Sequence, residues 1–102
     1  MRITLTKETA KEVGHKLTVL AETDELCEDY GITVDEAREL VDSVPDCGVW
    51  EFQDAHASMI AEELSDHTFV LADIAKENPE DRRKLKTIIK ELEAIVDSMA
   101  GL

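Results

Sequence analysis

A chain of 102 residues, 43% hydrophobic and 34% charged, has the composition of one compact domain and is too short for two of ordinary size. Eleven Lys and Arg against 24 Asp and Glu give a net charge of −13; residues 22–73 hold sixteen acids and one base, Arg38, while residues 1–21 carry +2 and residues 74–102 are neutral. That field repels nucleic acid and acidic membrane surfaces, and it attracts basic proteins and cations.

The first helix is expected from Lys7, with Thr6 as N-cap and Ala10, Val13, Leu17 and Leu20 at helical spacing. It either breaks near Thr23 or continues to Tyr30, where Gly31 ends it. Thr33 and Glu36 form the Thr-x-x-Glu arrangement that opens a second helix, turning Val34, Ala37, Leu40 and Val44 inward until Pro45 stops it. A third helix runs from about Gln53 to Glu77, with Ala57, Ile60, Ala61, Leu64, Leu71 and Ala75 on one stripe. Asn78 and Pro79 end it and are expected to start the next helix as N-cap and first residue. Leu85, Ile88, Ile89, Leu92, Ile95, Val96 and Met99 then mark the apolar face of a fourth helix. The fold class is therefore all-α, a small bundle of about four helices. Residues 2–6 and 49–52 alternate like strands and can pair as a minor two-stranded element. Met1 to Leu5 lead into charged residues, and nowhere do eighteen apolar residues run together, so neither a secretory leader nor a membrane span is expected. A cytoplasmic location with reduced thiols follows for Cys27 and Cys47, which are too few for a disulfide scaffold.

The acids fall in register. Asp35, Glu39 and Asp42 repeat at i, i+4, i+7, with Asp46 extending the line beyond Pro45; Glu22, Glu25 and Asp29 make a second stripe. Like charges one turn apart destabilise a helix, so folding gains nothing from them. The bland reading is a solvated acidic face. The sharper one is a face whose carboxylates enter the basic groove of a nucleic-acid-binding protein, where Arg–carboxylate pairs supply steering and register. Trp50 and Phe52 are anchors for that contact on condition that they are exposed.

Leu26, Cys27, Tyr30, Gly31, Ile32, Ala37 and Leu40 resemble a helix-turn-helix over about twenty residues. The would-be recognition helix holds Asp35, Glu36 and Glu39 where a DNA reader needs donors, so DNA reading by it is excluded. Ala61 to Asp66, running on through Phe69 to Ala75, resembles the metal-binding helix of the all-α NTP pyrophosphohydrolases (MazG-like). That resemblance implies Mg²⁺ held by Glu36 and Glu39 together with Glu63 and Asp66, 23 residues lying between the two pairs. His67 and Thr68 stand where that family is usually apolar, and the chain offers four Glu-x-x-Glu and three Glu-x-x-Asp pairs, so several combinations meet the spacing.

His56, Glu63 and His67 lie within about 40° on a helical stripe, with Cys47 the nearest further ligand in sequence, but no recognised zinc spacing appears. Neither cysteine has a basic neighbour that would make it a nucleophile, and four aromatic side chains are too few for a base-stacking platform. Arg82, Arg83, Lys84, Lys86 and Lys90 place five of the eleven bases at the start of the last helix, where they oppose the macrodipole. They fit a homodimer with acidic face on basic patch. The expectation is a non-enzymatic binding module without catalytic residues, cofactor or metal: an acidic inhibitor or adaptor for a basic protein or nucleoprotein complex. Its composition resembles that of the small nucleic-acid mimics with which phages and mobile elements disarm host defences. Mg²⁺-dependent nucleotide pyrophosphohydrolysis and a dimeric scaffold are the alternatives.

Overall fold

The computed structural model describes residues 1–99, which fold as an all-α protein with a minor two-stranded antiparallel sheet. The chain divides into two compact units, the first spanning Met1–Asp54 and the second starting at Ala55.

In the first unit β1 (Arg2–Leu5) pairs antiparallel with β2 (Gly48–Glu51), Ile3 opposite Trp50 and Leu5 opposite Gly48. Gly48 enters β2 at φ 98°, a left-handed conformation that a side chain would strain. Phe52 N donates to Met1 O at 3.0 Å, carrying the ladder one residue past the strands. Arg2 Nε meets Glu51 Oε1 at 2.9 Å across the exposed face. An isolated strand pair is marginal in water. This one turns Leu5 and Trp50 into the core, and the indole N–H donates to Ser43 Oγ at 2.9 Å.

Helix α1 (Lys7–Ala21) starts as its sequence dictates, with Thr6 Oγ1 accepting from Thr9 N at 3.4 Å. Val13, Leu17 and Leu20 form its buried stripe. Of the two readings at Thr23, the break holds. Thr23 is extended (φ −115°, ψ 93°) and its hydroxyl donates to the carbonyl of Val19 at 2.8 Å. Helix α2 (Asp24–Tyr30) follows, buries Cys27, and ends at Gly31 with φ 71°. Helix α3 (Val34–Ser43) opens on a complete capping box: Glu36 N donates to Thr33 Oγ1 at 3.0 Å, and Thr33 N donates to Glu36 Oε1 at 3.4 Å. Ala37 and Leu40 are buried, whereas Val34 and Val44 are half-buried.

The second unit is a pair of long helices, α4 (Ala57–Glu77) and α5 (Arg82–Met99), packed on each other. A 3-10 turn over Asp54–His56 precedes α4, so that helix starts four residues later than its periodicity predicts. Ile60, Leu64, Leu71 and Ala75 are buried on α4, and Ile88, Leu92, Ile95 and Met99 on α5. Each large apolar side chain of this kind contributes about 1.5–3 kcal/mol when removed from water. The junction differs from the expected one. Asn78 caps the end of α4, its Nδ2 donating to Ile74 O at 2.9 Å; Pro79 lies in the turn, and α5 starts at Arg82 with Leu85 N bonded to Asp81 O at 2.9 Å. Backbone N–H and carboxamide of Asn78 both donate to the Ile74 carbonyl behind it, at 3.0 and 2.9 Å, and that use wins over capping ahead. Along the second half of α4, Phe69, Val70 and Ile74 remain exposed, Phe69 by 70%.

Candidate docking face

The acidic positions lie mainly on two consecutive helices of the first unit. The turn at Gly31 and the capping box at Thr33 set the start of α3, and the inward positions Ala37 and Leu40 leave Asp35, Glu39 and Asp42 on the solvent side. On α2, burial of Cys27 leaves Glu25, Glu28 and Asp29 exposed. Glu22 is exposed too, but it sits at the C-terminal cap of α1, across the break at Thr23. The predicted stripe of Glu22, Glu25 and Asp29 is therefore divided between two helices.

Among the described residues, none of the carboxylates of Glu22, Glu25, Asp29, Asp35, Glu39 and Asp42 holds an ion pair or hydrogen bond. Glu36 differs from its neighbours because its carboxylate is occupied by the capping box. Arg38, the lone base of this stretch, is exposed on α3. Among the described residues the six carboxylates therefore stand without ion-pair partners.

Trp50 and Phe52 do not meet the condition set for anchors. Trp50 is 0% exposed and Phe52 9%, their rings tilted at 48° with centroids 4.5 Å apart. Strand pairing turns Trp50 inward and Ser43 satisfies its N–H, so neither ring is available to a partner without opening the core.

Glu36 and Glu39 belong to the first unit, Glu63 and Asp66 to the second; Glu39 and Asp66 are exposed, and Glu63 is buried. Among the described residues no group of three or more His, Cys, Asp or Glu side chains is placed to hold a metal ion. His67 is buried on α4 beside Leu64 and Leu71, and both His67 and Glu63 are partnered. The burial of Glu63 had no signal in the periodicity, because Met59, Glu63 and Val70 continue one stripe that is buried at its start and exposed further on.

At the start of α5, Arg82, Arg83, Lys84, Lys86 and Lys90 are all exposed. Arg82 Nε donates to Ala75 O at 3.3 Å, and none of the five forms an ion pair among the described residues. Cys27 is buried with Sγ donating to Leu20 O at 3.4 Å, and burial, with the charge of Asp24 adding to it, pushes its thiol pKa up. No family model, curated protein or solved structure matches the chain.

Proposed function

We propose that the chain is a non-enzymatic binding module, an acidic inhibitor or adaptor that lays the α2–α3 face on a basic, nucleic-acid-binding protein surface. The observation that carries this reading is the set of six exposed and unneutralised carboxylates, Glu22, Glu25, Asp29, Asp35, Glu39 and Asp42. The like charges of Glu39 and Asp42, one turn apart toward the C-terminal end of α3, cost that helix stability, and a partner offering Arg guanidinium groups at phosphate-like intervals turns the cost into steering and register. With Trp50 and Phe52 in the core, the contact is electrostatic in character. Its affinity then falls steeply as salt screens it.

The test is retention of partners from a host lysate on the immobilised full chain at about 0.1 M salt and again at about 0.5 M, where the screening length is less than half as long. A basic nucleic-acid-binding protein held at low salt, released at high salt and displaced by added duplex DNA is the expected outcome. The triple reversal Asp35→Lys, Glu39→Lys, Asp42→Lys should then retain none of it; equal retention by that variant would sink the reading. The five exposed bases on α5 favour one other acceptor for the same face, a second copy of this chain. Light scattering at low salt reads that directly: a dimer that dissociates with the triple reversal supports it, and a monomer throughout removes it.

A further inference from the structure

The first unit also carries a groove of about 660 Å³ between α1 and the end of α3, within the size range of small-molecule sites. Ala10, Val41, Val44 and Pro45 give it an apolar lining. Lys7 and Lys11, one helical turn apart on α1, also line it, and neither ammonium has an ion pair or hydrogen-bond partner among the described residues. Two unpaired lysines therefore border one apolar trough, in a segment, residues 1–21, that carries +2 within a chain of net charge −13. Asp46 and the exposed Cys47 line it as well.

Gly14 is an independent observation. It lies within α1, where glycine weakens a helix, and a Cβ placed there would meet nothing within 4 Å. No close approach of the protein to itself requires the glycine. It lines the groove, and any larger residue would narrow it.

We propose that this groove binds a small amphiphile with an anionic head, a medium-chain carboxylate, independently of the acidic docking face. The carboxylate pairs with Lys7 and Lys11 and avoids the like charge of Asp46, and the alkyl chain lies over Ala10, Val44 and Pro45, passing Gly14. Two charge-assisted contacts give the head its orientation, while the tail supplies the binding through the apolar surface that it covers.

Cys47 reports on occupancy without any substitution, since alkylation depends on access to the thiol and Cys27, buried, is the internal control. Decanoate is titrated below its micellar range into the full chain while iodoacetamide labelling of the two thiols is followed by mass spectrometry. The expected result is saturable slowing at Cys47 with Cys27 unchanged, and amide chemical-shift changes confined to residues around Ala10, Gly14 and Val44. Lys7→Gln with Lys11→Gln should weaken this by roughly tenfold, the sum of two exposed ion pairs. Gly14→Leu should abolish it with the helical circular dichroism intact. Decanol, which keeps the tail and lacks the charge, should protect at least as poorly as decanoate does in the double lysine variant. Absence of saturable protection, equal protection by decanol, or undiminished binding in the Gly14→Leu protein would each overturn the proposal.

Discussion

Residues 1–54 hold fourteen acids against five bases, and residues 55–102 hold ten against six. The first unit builds its order from local devices: an N-cap at Thr6, a left-handed stop at Gly31, a capping box at Thr33 and a short sheet that buries Trp50. The second has two long helices and relies on one packed seam between them. Short helices fixed at their ends can carry like charges on their outer faces because packing and caps, not surface pairing, hold them. The placement of the unneutralised acids on α2 and α3 follows that logic. Long helices that depend on a seam carry both signs, with the bases gathered at the start of α5.

This contrast can be broken most forcefully at Trp50. Trp50→Ala removes the largest fully buried side chain and leaves Ser43 without its donor, and it should cost about 3–5 kcal/mol in urea denaturation. Hydrogen exchange separates the units: if the α4–α5 amides lose protection in step with those of α1 and α3, the chain unfolds as one body and the two-regime description fails. Thr33→Ala comes next. Loss of the capping box should cost about 1 kcal/mol, with faster exchange concentrated in the first turn of α3. An unchanged midpoint would mean that packing alone holds α3.

Neutralising the stripe has a smaller effect of opposite sign. Glu39→Gln with Asp42→Asn should raise stability by a few tenths of a kcal/mol at low salt, and the gain should fade in high salt; Asp35 is left in place because it sits in the first turn of α3, where the helix dipole favours its charge. Destabilisation by that double change would show that the two carboxylates serve the fold, which removes the reason for assigning them to a partner. Least in size is an alkaline effect at Cys27. Its folded-state pKa is raised by burial, so the folded protein holds the thiol proton more tightly than the unfolded chain does. Stability from this group is complete below the unfolded value and declines from near pH 9.0 upward as the unfolded chain ionises first. Cys27→Ala should flatten that alkaline limb relative to the parent, measured as midpoint against pH.

Signals confined to one turn of chain were readable in the sequence. Thr6, Gly31 and the Thr33–Glu36 box each state a backbone geometry through a side chain within a few residues, and all appear where expected. The strand pairing of residues 2–6 with 49–52 was readable from alternation, although the strands close at Leu5 and Glu51. Junctions with two competing uses were not. Asn78 can cap a helix behind it or ahead of it, and only the position of the Ile74 carbonyl decides. Burial set by distant segments was likewise hidden: Trp50 turns inward because Ile3 is its cross-strand partner, and the groove beside Gly14 exists because α3 ends against α1. For the candidate face, the exposure of its acids was legible and the fate of its aromatics was not.

Phe69, Val70 and Ile74 on α4 have a colloidal consequence. At neutral pH the net charge of −13 keeps molecules apart, so exposed apolar side chains seldom meet their equivalents on a neighbour. Near the isoelectric point of about 4.4 that repulsion vanishes while the hydrophobic patch persists. Turbidity should rise sharply as acid is added toward that pH. Phe69→Glu, which plants a charge at the most exposed of the three, should shift the onset to lower pH and make clearing on neutralisation faster.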